Sequence, residues 1–146
     1  MTPERLIHDA AVLVAGLFAG GSLFISLVDV PSRMSLGPAL AHKHFREMYP
    51  RATNLQAPLA AGGSVLAVAL WLVRGEIGAA IAAVSLGSVV VFTLAAIMPT
   101  NRRLMDSTIE LSDDEVLALL DRWKVRHGVR TLLGIIAVTA LLLGPS

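Results

Sequence analysis

Four long apolar stretches, separated by polar segments, dominate the pattern of this chain. They cover about residues 10–28, 55–73, 77–98 and 125–143. Each stretch approaches the roughly 20 residues with which an α-helix crosses a hydrocarbon core of about 30 Å. The pattern therefore predicts an all-α fold, an integral membrane four-helix bundle in which residues 1–146 form one domain within the lipid bilayer.

Composition supports the membrane assignment and removes several other classes of protein. Of the 146 residues, 55% are hydrophobic and 16% are charged, and the formal net charge is +1. Basic and acidic residues are interleaved, which argues against a nucleic-acid partner. The chain has no cysteine, so disulfides and thiolate metal ligands drop out.

The lengths of the connections predict how the chain crosses the membrane. Only Arg74, Gly75 and Glu76 separate the second and third spans, which makes those spans an antiparallel hairpin. The first and third connections are long and lie together on the other side. The basic residues of that side are Arg33, Lys43, Arg46, Arg51, Arg102, Arg103, Arg122, Lys124, Arg126 and Arg130. Because the hairpin side has only Arg5 and Arg74, the positive-inside rule predicts cytoplasmic long loops and both termini outside.

Both polar connections carry helix signals. Ser112-Asp-Asp-Glu115 is a capping-box pattern, which predicts a helix that continues without interruption into the fourth span. The first connection has apolar residues at helical spacing, namely Ala41, Phe45, Met48 and Tyr49. This spacing predicts a short amphipathic helix in the membrane interface. A second capping-box pattern, Thr53-Asn-Leu-Gln56, predicts a new helix start at the second span.

Glycines in the first span predict close helix contacts. Gly16 and Gly20 form a small-xxx-small pair, the spacing that lets two membrane helices approach closely. Such a face also provides contacts for a homo-oligomer.

The most informative polar cluster lies directly before the last apolar run. Trp123, His127 and Arg130 occupy positions i, i+4 and i+7, so they share one face of a helix. Ionisable residues at the edge of a membrane span are functional candidates. A neutral imidazole can take a proton from an acidic C–H or O–H group, and a neighbouring guanidinium can stabilise the resulting anion.

Other polar side chains stand at the same ends of the spans, where a four-helix bundle would bring them to one layer. They are Asp29, Asn54, Gln56, Asn101 and Arg102. Each also has a structural interpretation. Asp29 can form an ion pair with a nearby arginine, Asn54 and Gln56 can cap the second span, and Asn101 follows a proline at a turn.

A metal site is the weaker interpretation of the histidines. Imidazole and carboxylate groups suit first-row ions, but His42 and His44 point about 200° apart on a helix. No metal is therefore expected, and a haem or metal protein stays open as an alternative, with His42, His44 and His127 as the ligands.

Three motifs give the chain a family resemblance. They are Phe45-Arg-Glu-Met-Tyr49 before the second span, Pro99-Thr-Asn101-Arg102-Arg103-Leu104 after the third, and Trp123-x3-His127-x2-Arg130 entering the fourth. In these motifs and in its four spans, the chain resembles the anthrone oxygenase-like family of small membrane proteins.

The resemblance implies oxidation of a lipophilic phenolic or quinone-like substrate by molecular oxygen, without an organic cofactor. In that scheme His127 removes the proton, Arg130 and Asn101 hold the anionic oxygen, and Trp123 stacks on the aromatic substrate. Further substrate contacts would come from Asn54, Gln56, Asp29 and Arg102. The competing interpretation is a non-catalytic membrane partner, transport or lipid-binding protein.

Overall fold

The computed structural model describes residues 2–144, which form four long helices and no strand. They are α1 (Pro3–Met34), α2 (Pro38–Arg74), α3 (Ile77–Met105) and α4 (Asp113–Leu142). All four are long and apolar enough to cross a membrane. The predicted all-α membrane bundle is confirmed, and the protein is a multi-pass integral membrane protein.

Sequential helices are neighbours in space. α1 and α3 each pack against both α2 and α4, so the four helices form a ring that alternates in direction. Between α2 and α3 the chain turns at Gly75 and Glu76. Gly75 has a φ of 68°, a left-handed conformation that ends α2 and that a glycine adopts without strain.

The first connection is much shorter than the sequence suggested. It contains only residues 35–37, and the amphipathic segment expected as a separate interfacial helix is the N-terminal part of α2. The capping box predicted at Thr53 is wrong, because Thr53 lies within this continuous helix. Ala41 and Phe45 are fully buried against other helices, so tertiary packing holds the segment helical through Pro50.

The third connection, residues 106–112, ends in the expected cap. Glu115 N–H donates to Ser112 Oγ at 3.3 Å, and Ser112 N–H donates to the Glu115 carboxylate at 3.0 Å. From this capping box α4 runs unbroken to Leu142, as predicted. At the start of the connection, Thr108 donates two hydrogen bonds to Asp106, which lower the pKa of that carboxyl.

Two helices contain one π-helical turn each, Ile25–Asp29 in α1 and Thr93–Ile97 in α3. Each turn ends two residues before a proline, Pro31 or Pro99. A proline ring clashes with the carbonyl four residues earlier, which lies inside the π turn in both cases, and the wider turn accommodates it. Side chains of α4 bond to the adjoining backbone: Thr131 donates to the Ser22 carbonyl and Arg126 to the Ala96 carbonyl.

The core has two apolar clusters with a polar layer between them. One cluster contains Phe18, Leu70, Leu86 and Leu141, and the other contains Val30, Phe45, Leu104, Leu120 and Trp123. The buried polar side chains Ser22, Gln56, His127 and Thr131 lie where α1, α2 and α4 pass from one cluster to the other.

The closest glycine contacts are not at the expected pair. Gly20 is exposed and a Cβ atom there would meet nothing within 4 Å, and one at Gly16 would only touch Val138. At Gly134, by contrast, an added Cβ would lie 2.9 Å from the Phe18 ring and 3.3 Å from the Ala19 backbone. Gly134 is therefore where α4 approaches α1 most tightly among these three positions.

We expect Gly134→Ala to lower the free energy of unfolding by about 1–3 kcal/mol, because the α1 backbone cannot move away without loss of packing. Gly20→Ala is the matched control and should be neutral or slightly stabilising, since alanine is the better helix former by about 1 kcal/mol. Thermal unfolding in the same detergent measures both. Equal effects of the two substitutions would contradict the close packing at Gly134.

Candidate functional site

His127 is the centre of the polar layer. Its side chain is 2% exposed, and its Nδ1 atom lies 3.1 Å from Ser26 Oγ on α1. The imidazole stacks on Trp123, with ring centroids 4.6 Å apart and an interplanar angle of 23°. These two contacts fix the plane of the imidazole and the direction of its nitrogen atoms.

Hydrogen bonds connect this histidine to three helices. Ser26 Oγ lies 2.8 Å from Thr131 Oγ1, which is 3.2 Å from the carbonyl oxygens of Ser22 and His127. The Ser22 hydroxyl in turn donates to Gln56 Oε1 on α2 at 2.9 Å. The serines and Thr131 thus tie α1, α2 and α4 together at one level of the bundle.

Arg130 supplies the positive charge of the layer. Its guanidinium carbon lies 5.7 Å from the centre of the Phe18 ring, and its Nε atom is buried without a hydrogen-bond partner. No carboxylate of the described chain forms an ion pair with it, whereas Arg33, Arg51 and Arg103 each have one. A partly buried guanidinium without a carboxylate partner is suited to bind an anionic oxygen.

Arg130 faces an apolar cavity of about 240 Å³ between α2 and α3. The apolar lining comes from Ala57, Ala60, Ala61, Val89, Val90, Leu94 and Met98. Ala57, Ala61 and Leu94 are exposed on the outer surface of the helices, so this side of the cavity opens toward lipid. The volume is just below the roughly 300–1,000 Å³ of pockets for drug-sized ligands, which indicates a small ligand.

A second, much smaller cavity of about 20 Å³ lies beside His127 and Trp123. Both cavities share four lining residues: Tyr49, Thr53, Gln56 and Arg130. The smaller one has room for about one water-sized molecule. The four shared residues are therefore the boundary between the small cavity beside the imidazole and the larger apolar cavity.

Tyr49 is one of the site residues that the sequence pattern did not assign. Asn101 donates from Nδ2 to the Tyr49 hydroxyl at 2.9 Å, which leaves the phenolic hydrogen free to point into a cavity. Asn101 itself is 2% exposed and lines neither cavity, and its Oδ1 atom has no partner in the described structure. Asn101 thus reaches the site through Tyr49. The i, i+4 spacing of Phe45 and Tyr49 in the first motif was the available signal.

An ion pair and two aromatic rings, Phe45 and Trp123, support the imidazole on the side of the second apolar cluster. Arg33 is 1% exposed, and its Nη1 atom lies 3.0 Å from an Asp29 carboxylate oxygen. The guanidinium carbon stands 5.0 Å from the centre of the Trp123 ring and 5.3 Å from that of Phe45. Phe45 also packs edge-on against Trp123. Trp123 therefore contacts His127, Arg33 and Phe45, an arrangement that positions His127.

Several other predicted residues lie outside this layer. Asn54 and Arg102 are exposed, and only Gln56 of the two expected capping residues faces the cavities. Asp29 pairs with Arg33 and approaches His44 at 3.5 Å, without contact to Arg102 or Arg130.

The histidines considered as metal ligands have separate partners. His42 Nε2 bonds to the Leu104 carbonyl at 2.7 Å, His44 faces Asp29, and His127 faces Ser26. Among residues 2–144 no group of three or more histidine or acidic side chains is placed to hold a metal ion.

Fold and site together define a membrane-embedded four-helix protein with a buried histidine and a carboxylate-free arginine at the wall of a lipid-facing cavity. A family model described as anthrone oxygenase matches residues 45–140, which is more than half of the chain. The chain belongs to the anthrone oxygenase family. No curated protein and no solved structure matches it.

The Asp29–Arg33 pair provides a test of how the site is supported. Asp29→Asn should lower the free energy of unfolding by about 3 kcal/mol, because it leaves the Arg33 cation buried without a counter-charge. Glu47→Gln, which breaks the exposed pair with Arg51, is the matched control and should cost at most about 1 kcal/mol. Chemical denaturation in detergent micelles compares the two. A loss no larger for Asp29→Asn than for the control would contradict a supporting role for this pair.

Proposed function

We propose that the protein is an oxygenase that uses molecular oxygen to convert a small, lipophilic phenol of the anthrone type into a quinone. The observation that carries the proposal is the apolar, lipid-facing cavity that ends at Arg130. This cavity shares four lining residues with the small cavity beside His127. Membership of the anthrone oxygenase family supports the same chemistry.

Binding would begin from the membrane. A flat fused-ring substrate enters between Ala57, Ala61 and Leu94, where small side chains leave room for its rings. Its oxygen atom then approaches the Arg130 guanidinium and the free phenolic hydrogen of Tyr49. A cation and a neutral donor together stabilise an oxygen that becomes negative during the reaction. Asn101 holds the Tyr49 hydroxyl in position for this contact.

Proton removal would be the role of His127, acting through one water molecule in the small cavity beside the imidazole. The activated CH2 carbon of an anthrone is acidic because its anion is delocalised onto the ring oxygen, where Arg130 compensates the charge. General bases of this kind accelerate proton transfer by about 10²–10⁴-fold. Burial of the imidazole excludes bulk water, and the stacked Trp123 indole stabilises the imidazolium that forms.

Oxygen then reacts with the bound anion directly. The carbanion gives one electron to dioxygen, and the two radicals combine into a peroxide anion on the same carbon. His127 returns its proton to the terminal oxygen and then removes the second hydrogen of that carbon as a proton. The electron pair of the C–H bond forms the carbonyl as the O–O bond breaks, and the leaving hydroxide takes the proton from His127 and departs as water. One dioxygen thus yields one new carbonyl oxygen and one water, and the imidazole is regenerated.

His127→Gln should lower oxygen-dependent quinone formation by about 10²–10⁴-fold, because glutamine keeps hydrogen bonding but cannot act as a base. His8→Gln is the control and should keep full activity, since His8 bonds to Leu141 at the far end of the bundle. Turnover of an anthrone by purified protein, with label from oxygen-18 gas in the quinone, is the measurement.

The same assay distinguishes the competing functions. Full turnover by His127→Gln would contradict the proposed base. A wild-type protein that binds the anthrone without oxidising it would favour a lipid-binding or transport role. A stoichiometric metal or haem absorption in the purified protein would favour the metal alternative.

We also propose that the end of the bundle with the 106–112 connection faces the cytoplasm, because ten of the 12 lysine and arginine residues belong to it. The natural chain has no cysteine, so single cysteines report sidedness directly. In intact cells, a membrane-impermeant thiol reagent should label Glu4→Cys and leave Ser107→Cys unlabelled until the cells are opened. The reverse labelling pattern would overturn this orientation.

A further inference from the structure

We infer that Ser26 and Thr131 form a hydrogen-bond relay that holds His127 as the Nδ1–H tautomer and leaves Nε2 as its basic nitrogen. The tautomer follows from the hydrogen bonds alone. The catalytic role of Nε2 as the base rests on the proposed function.

Counting the hydrogens in the relay fixes its direction. Three contacts follow one another: His127 Nδ1 to Ser26 Oγ at 3.1 Å, Ser26 Oγ to Thr131 Oγ1 at 2.8 Å, and Thr131 Oγ1 to the carbonyl oxygens of Ser22 and His127 at 3.2 Å. A carbonyl oxygen only accepts, so Thr131 must donate at the end of the relay. Ser26 then donates to Thr131, and the hydrogen between Ser26 and the ring must come from Nδ1.

The opposite tautomer leaves one contact without a hydrogen. If Nδ1 were unprotonated, only the two hydroxyl hydrogens would remain for three contacts. Either the two hydroxyl oxygens would face each other at 2.8 Å with lone pairs only, or both backbone carbonyls would lose the Thr131 donor. The Nδ1–H tautomer makes a hydrogen bond of each of the three contacts, whereas the opposite tautomer makes at most two, so the Nδ1–H tautomer is favoured.

The remaining nitrogen is free for chemistry. His127 Nε2 makes no hydrogen bond to any residue within 2–144, and the imidazole borders the small cavity next to Arg130. When Nε2 takes a proton, the Nδ1–H group already donates into a relay that ends at carbonyl oxygens, whose partial negative charge stabilises the imidazolium. In other histidine-based sites, a carboxylate that accepts a hydrogen bond from Nδ1–H stabilises the imidazolium in the same way.

Thr131 is a positioning residue, because it lines neither cavity and is 5% exposed. Its hydroxyl is required for the direction of the relay, and its methyl group is not. Thr131→Val keeps the shape and removes the hydroxyl, after which the Ser26 hydrogen can turn to Nδ1. Thr131→Ser keeps the hydroxyl and is the matched control.

The test is nitrogen-15 NMR of the four histidines in detergent-solubilised protein, with the His127 signals identified by their loss in His127→Gln. Wild-type protein and Thr131→Ser should show His127 as the Nδ1–H tautomer, and Thr131→Val should show Nε2–H. An Nε2–H tautomer in the wild type, or no change in Thr131→Val, would overturn the relay. Because this readout needs no substrate, it fails or succeeds independently of the proposed oxygenase.

A kinetic measurement then connects the relay to activity. With an anthrone as substrate, Thr131→Val should lower kcat about tenfold or more with little change in KM, because a wrong tautomer affects proton transfer and leaves the cavity intact. Thr131→Ser should restore kcat. A rise in KM with unchanged kcat would contradict the relay, whereas absence of turnover in wild-type protein with the Nδ1–H tautomer would contradict only the oxygenase.

Discussion

A polar side chain that points into this bundle must find its partner within the protein, because all four helices have apolar outer surfaces suited to lipid. The polar layer follows from that constraint. Ser26, Thr131 and the Ser22 carbonyl satisfy one side of His127, and Trp123 covers its ring. Arg130 is an exception, with no carboxylate in the described chain to compensate its charge. An ionisable residue of this kind at the wall of a cavity is a candidate for ligand binding.

The backbone beside the polar layer departs from regular α-helix in two places. A π turn in α1 contains Ser26, and another in α3 contains Thr93, which lines the larger cavity. Each turn adjoins a proline that would otherwise clash with the preceding helical carbonyl. Side chains of α4 bond to backbone carbonyls inside or just before these turns, Arg126 to that of Ala96 and Thr131 to that of Ser22. Helix irregularity, hydrogen bonding and the site are therefore parts of one arrangement.

Sequence pattern predicted the helices well because hydrophobic length and a capping box are local signals. It also placed Trp123, His127 and Arg130 on one face. It was wrong about a helix start at Thr53, since the burial of Ala41 and Phe45 depends on contacts with other helices. Tyr49, Ser26 and Thr131 were not assigned for the same reason: their roles come from partners 52, 101 and 105 positions away. Helix rotation decides such contacts, and composition does not encode it.

In the proposed mechanism, the site creates a substrate anion before oxygen reacts. The most direct test of this step is to mix the purified protein with an anthrone in the absence of oxygen and record the absorption spectrum. Bound substrate should appear as its anion in proportion to the protein, and admission of oxygen should convert that anion to the quinone. Bound substrate that stays neutral until oxygen is admitted, and is then oxidised at an undiminished rate, would rule out prior formation of the anion.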